Sequence, residues 1–259
     1  MWYLWILSAL AFPSELSSAL RKGDCTKAVQ IEANLVTDIS RMAIGECRIK
    51  LGDIEEGLAL LYPINGPLKP YASLIAANGA QLVGRHAEAV RHAKDAATHP
   101  ALSDAAQLVQ AKTALAQSEW ITARDLLRPL LTGKRTKPGY LPGPTELDPA
   151  ELRWLLAEAA HKRGSSDAAV PVYWSIWTKN PTSRWATEAE KRLISMGHRV
   201  PDSTTASGRK KIASRAATLR KMNLHKEAIK LLDQLPKSNE TTSVKKQAYY
   251  AFSAKDYPR

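Results

Sequence analysis

The chain has 259 residues, 44% of them hydrophobic, and a formal net charge of +12 at pH 7. That length is ample for a real core, and the near absence of alternating β-branched runs excludes a strand-based fold. Such basicity invites an anionic partner (nucleic acid, lipid or polymer). The chain has no recognition helix with clustered Arg, no aromatic RNA-binding motif and no zinc spacing, so nucleic-acid binding is not expected.

Residues 1–12, MWYLWILSALAF, are apolar but too few to span a bilayer. They have the character of a secretory hydrophobic region, with Ser17, Ser18 and Ala19 offering small residues for cleavage, though without a basic leading segment. Residues 1–22 are therefore read either as a signal segment or as a first core helix, and no transmembrane span is expected. Cys25 follows Gly-Asp and is no lipoprotein anchor. Cys25 opens one helix and Cys47 lies near the end of the next, antiparallel one, which makes a disulfide geometrically reasonable. In the entropic model such a loop adds on the order of 3 kcal/mol. The alternative is two buried free thiols.

One step recurs along the chain: a small or turn residue, four others, then Ala or Gly. It stands at Gly23 to Ala28, Gly52 to Gly57, Gly84 to Ala89, Ser118 to Ala123, Gly164 to Ala169 and Asn223 to Ala228. The first residue turns the chain between two helices, and the small one lets the second helix pack closely on the first. The first four copies lie about 29 to 34 residues apart, near the tetratricopeptide period of about 34. The fold expected is all-α: a tetratricopeptide-like solenoid of helical hairpins, an α-superhelix. Residues 23–132 form the first run of repeats and 133–148 a basic Pro/Gly linker. Residues 149–259 form further repeats, ending mid-unit, as if the sequence were part of something longer.

The clearest hairpin runs from Asp148 to Gly197. Asp148 suits an N-cap, Pro149 the first helical position, and Glu151 the place a capping box needs. Leu152, Leu155, Leu156, Ala159 and Ala160 fall on one helical face. Gly164 ends that helix and Ser165 or Ser166 caps the next, which turns Val170, Tyr173 and Trp177 inward, with a slight bend expected at Pro171. Asn180-Pro181 ends it, Thr182 or Ser183 caps a third helix, and Trp185, Ala189, Leu193 and Met196 make its stripe. A loop follows over His198–Gly208. The region after it is rich in Lys and Arg, beginning with Arg209, Lys210 and Lys211. These three read as a solvated helical face or as a docking patch for a glycan or a protein.

No catalytic, cofactor-binding or metal-binding set stands out. There is no phosphate-binding glycine loop, no His-Glu-x-x-His and no nucleophile elbow. His86 and His92 are six residues apart, on different helical faces. The one aromatic concentration is Trp154, Tyr173, Trp174, Trp177 and Trp185. Stacked indoles bind sugar rings, but this helical spacing favours packing between helices. Trp174, one residue off the stripe, is the member expected to point outward and meet a ligand.

The run AELRWLLAEAAHKRG…AAVPVYWSIWTKNPTSRWATEAEKRL, with GPLKPYASLIAANGAQLVGRHAEAV and the GDC…GEC pair before it, resembles the amino-terminal superhelical region of soluble lytic murein transglycosylases. The resemblance covers roughly Gly23 to the end. It implies a periplasmic location, a peptidoglycan context, and a superhelix that holds a separate lysozyme-like catalytic domain. That family's catalytic acid is a Glu followed by Ser. No Glu here is followed by Ser, the nearest case being Glu240-Thr241, so no catalytic residue carries over. The function expected is a non-catalytic scaffold acting on peptidoglycan in the cell envelope, partnered by the wall polymer or by a catalytic domain this sequence lacks. The rival expectation is a free-standing tetratricopeptide-like adaptor with a protein partner.

Overall fold

The computed structural model of the chain describes residues 14–31, 37–132 and 147–235. The regular elements among them are all helical. The α-helices are α1 (Ser14–Lys22), α2 (Cys25–Gln30), α3 (Asp38–Leu51), α4 (Ile54–Leu61), α5 (Lys69–Leu82), α6 (His86–Ala97), α7 (Ser103–Ala116), α8 (Trp120–Thr132), α9 (Pro149–Lys162), α10 (Ser166–Lys179), α11 (Arg184–Ser195), α12 (Ala206–Lys221) and α13 (His225–Leu232), with short 3-10 turns at Gly66–Leu68 and Pro100–Leu102. Contacts divide the chain into two compact units, 1–148 and 149–259. Among the described residues no helix is long and apolar enough to cross a membrane. The linker over 133–146, the segment 241–254 and residues 1–12 lie outside the described residues.

All six expected turns form, and they form alike. Gly23, Gly52, Gly84, Ser118, Gly164 and Asn223 have φ of 71°, 99°, 73°, 62°, 89° and 63°. In each case the next residue donates its N–H to the carbonyl five residues back. These bonds run from Asp24 to Ala19, Asp53 to Arg48, Arg85 to Ala80, Glu119 to Ala114, Ser165 to Ala160 and Leu224 to Leu219, all within 2.8–3.0 Å. That bond satisfies a carbonyl left over at the helix end, and it requires the left-handed residue between. The small residue five positions on is buried every time: Ala28, Gly57, Ala89, Ala123, Ala169 and Ala228. Gly57 marks the closest approach. A Cβ there would sit 2.7 Å from the Gly45 carbonyl oxygen and 2.7 Å from Ile49 Cγ1.

In the first unit each helix packs on the next, and α5 also packs on α3 and α7. Its core is built largely of small and aliphatic side chains, including Leu74, Ala77, Ala93, Ala96, Ala105 and Ala106. Cys25, at the start of α2, and Cys47, in α3, form a disulfide with Cα atoms 4.9 Å apart. The pairing joins the two antiparallel helices as the sequence suggested, and it is compatible with an oxidising compartment.

In the second unit α10 is the hub, packed on α9, α11 and α12. Tyr173 and Ile176 are fully buried and Trp177 is nearly so. Around them lie Leu193 of α11 and Ile212, Ala216 and Leu219 of α12. The α9 stripe turns out shifted: Leu152, Ala157 and Ala159 are buried while Leu155, Leu156 and Ala160 are half-buried. Ser183 rather than Thr182 caps α11, its hydroxyl accepting from Trp185 N–H at 3.2 Å. The helix after the loop starts at Ala206, earlier than the composition indicated. The Thr205 hydroxyl caps it by accepting from Gly208 N–H at 3.0 Å. Gly208 is buried, and a Cβ there would collide with the Asp202 carbonyl.

Candidate functional site

Trp174, Arg209, Lys210 and Lys211 all lie in the second unit, on α10 and α12, which pack on each other. Trp174 does not point outward. It is only 9% exposed and belongs to the buried cluster, set edge-on to Trp177 with ring centroids 5.5 Å apart. Apolar spacing alone points to a single buried face, whereas α10 is covered by three other helices. The covering group on Trp174 is one of the predicted basic residues. Lys211 places its Nζ 4.6 Å from the centre of that indole and donates to Ser207 Oγ at 2.7 Å. Trp174 and Lys211 are thus brought together as an internal cation–π pair rather than as an open platform.

Arg209 is turned back on the preceding loop, where Nη1 donates to the carbonyl of Thr204 at 2.9 Å. That loop is held by Asp202, which accepts from the hydroxyls of Thr204 and Thr205 and from both of their backbone N–H groups. These bonds, the Thr204 hydroxyl's first, hold the Asp202 carboxyl well below the usual carboxylate range. Lys210 alone of the three predicted bases is exposed to solvent.

Arg215 was not singled out, and it is the most embedded base of α12. Its guanidinium lies 4.5 Å from the centre of the Trp177 indole and donates to the carbonyls of Trp177 and Pro181. Burial lowers its pKa. One signal in the sequence could have found it: Arg215 stands four residues after Lys211, so the two lie on the same side of the helix. Trp177 in turn donates Nε1–H to Glu190 Oε2 at 3.0 Å.

On the far side of α10, Glu158 collects donors from two other helices. It accepts from the Tyr173 hydroxyl at 2.6 Å and bidentately from Arg192, at 2.9 and 2.7 Å. Burial, then the bond to Glu158, pushes the Tyr173 phenol up, and Glu158 raises Arg192. Beside this network Trp154 stacks on Trp185 at 5.8 Å, and the Arg184 guanidinium lies 4.3 Å over the Trp185 ring. Of the aromatic group, Trp154 and Trp185 are the half-buried pair.

The first unit has its own polar cluster, between α4 and α6. The Tyr62 hydroxyl donates to Glu88, and the Tyr62 ring stacks on His92 with centroids 5.4 Å apart. His92 Nε2 lies 3.7 Å from Glu88, and Arg85 bonds Glu55 bidentately at 2.7 and 2.8 Å. Burial, with Glu88 adding to it, pushes the Tyr62 phenol up to about 12. His92 is lowered by burial first and then by Arg91. These side chains fasten adjacent hairpins together. Among the described residues no three His, Cys, Asp or Glu side chains are grouped to hold a metal ion.

Comparison with protein-family models, with curated proteins and with solved structures gives no match to this chain.

Proposed function

We propose that the chain is a tetratricopeptide-like, α-superhelical scaffold that works on peptidoglycan in the periplasm, positioning the wall polymer or a catalytic domain rather than cleaving glycan itself. The observation that carries the scaffold reading is the sixfold recurrence of one turn. It has the same left-handed residue, the same carbonyl closed behind it and the same buried small residue in both units. Hairpins repeated in this way build extended arrays whose surfaces bind rather than pockets that react. The disulfide agrees with an oxidising compartment, and the sequence resemblance to the transglycosylase superhelix supplies the wall. The direct test is co-sedimentation of the chain with purified sacculi across a salt series. Binding that weakens as salt rises is the expected result. No binding, or binding indifferent to salt, overturns the peptidoglycan assignment.

A second reading, a protein-binding adaptor, is favoured by apolar side chains at the turn edge of the first unit. Leu51, Leu82, Val83 and Ile121 are 46%, 62%, 40% and 54% exposed. Capture of a defined protein partner by a chain that ignores sacculi would decide for it.

A further inference from the structure

Ion pairs are unevenly distributed among the described residues. Elsewhere bases meet acids: Lys50 with Glu46, Arg85 with Glu55, Arg124 with Asp125, Lys191 with Glu188, Arg192 with Glu158. Helix α12 has Arg209, Lys210, Lys211, Arg215, Arg220 and Lys221 and not one acidic residue. Among the described residues none of the six is ion-paired to a carboxylate. Arg209, Lys211 and Arg215 are occupied by carbonyls, a hydroxyl and two indoles, and the Glu190 carboxylate attracts Arg215 without forming an ion pair.

The helix sorts these bases by face. Ile212, Ala216 and Leu219 point into the core, with Lys211 and Arg215 at the margin over the tryptophans. On the opposite side, Lys210, Ser214 and Lys221 recur at helical spacing and are exposed. Lys210 and Lys221 stand about 16 Å apart along the axis at 1.5 Å per residue, with Ser207 and Thr218 on the same side. Unpaired like charges on one helix cost stability, and a bound polyanion offsets that cost.

The outer face also narrows the kind of polyanion. A helix that lies in a membrane turns an apolar face outward, but the apolar face of α12 is buried against α10. Single-stranded nucleic acid needs open aromatic faces for stacking, but Trp174 and Trp177 are roofed by Lys211 and Arg215. What remains is a row of ammonium and hydroxyl groups suited to a hydrated polyanion, and the peptidoglycan reading supplies one that bears carboxylates.

We infer that the outer face of α12, centred on Lys210 and Lys221, is where the scaffold docks the carboxylates of the wall polymer's peptides. This inference rests on the peptidoglycan reading above. The test compares the full chain with two charge-reversed variants of equal net charge. One is Lys210→Glu with Lys221→Glu; the other is Lys162→Glu with Arg163→Glu, at the exposed turn between α9 and α10. Circular dichroism confirms that both fold. The α12 variant is expected to lose about tenfold in affinity for sacculi while the control variant shifts less than about twofold. Amidating the carboxylates of the sacculi should remove the difference.

Equal losses in the two variants, or binding untouched by amidation, overturn the inference while leaving the peptidoglycan reading in place. If the wild-type chain ignores sacculi, both fail together. Retained, α12-dependent binding to phosphatidylglycerol vesicles or to duplex DNA would then reassign the face to phosphate.

Discussion

Behind the turn at Gly84 the helices of the first unit close on Ala77, Ala93, Ala96, Ala105 and Ala106. Behind the turn at Gly164 the second unit is filled by Tyr173, Trp174 and Trp177. Alanine lets helix axes approach and asks nothing of its neighbours. A buried tyrosine or tryptophan brings a hydroxyl or an N–H that must find a partner, and here the partners are Glu158 and Glu190. The indole faces then attract cations, which places Lys211 and Arg215 over Trp174 and Trp177. The same turn thus accommodates an alanine-rich core in one unit and a core with a charged roof in the other.

The contrast is open to breaking at several points. The largest effect is expected from Trp177→Ala, which empties the hub of the second unit and leaves Arg215 and Glu190 without their indole. It should cost about 3–5 kcal/mol in urea denaturation. A loss under about 1 kcal/mol would mean the roof, not the ring, holds α12 in place. Next comes the cross-link of the first unit. Cys47→Ser should cost about 3 kcal/mol, and adding reductant to the wild type should reproduce its thermal shift. An unchanged melting curve in reductant would show that the disulfide is dispensable there.

A smaller loss, about 1–3 kcal/mol, is expected for Gly57→Ala, since the added methyl meets backbone on one side and Ile49 on the other. Stability at or above wild type would show that α3 and α4 can separate without penalty. The smallest effect is a matter of pH. His92 is lowered from its ordinary value of 6.5 by burial and by Arg91, against the opposing pull of Glu88 and Asp95. The unfolded chain therefore takes up a proton more readily than the folded one. Stability is complete above that pH and falls as the pH drops below it. His92→Gln should flatten the acid limb of a stability profile measured by urea midpoint, and an unaltered limb would place the sensitivity elsewhere.

Local features were the legible ones. Six turns could be read because each is set within a few residues: a conformation open to Gly, Asn or, at Ser118, a small polar side chain, and then a small residue where helices touch. The disulfide followed from two helix ends being neighbours. What required the third dimension was how many helices cover one element. Trp174 appeared outward because periodicity describes a helix with a single neighbour, and α10 has three. The basic run at Arg209–Lys211 could be seen, but not that Arg209 would turn to a loop and Lys211 to an indole, leaving Lys210 in solvent. Arg215 was missed for the same reason: nothing local ties it to Trp177, 38 residues earlier.

The uniform turn has a consequence for how such a chain changes length. Because each turn is closed by bonds within its own few residues, its geometry does not depend on how much chain separates it from the next. The interval from Gly52 to Gly84 begins and ends on a left-handed glycine followed by the same closing bond, so excising or duplicating it would keep the backbone conformation of both turns. The grammar of each joint is thus local, written in the few residues that close it.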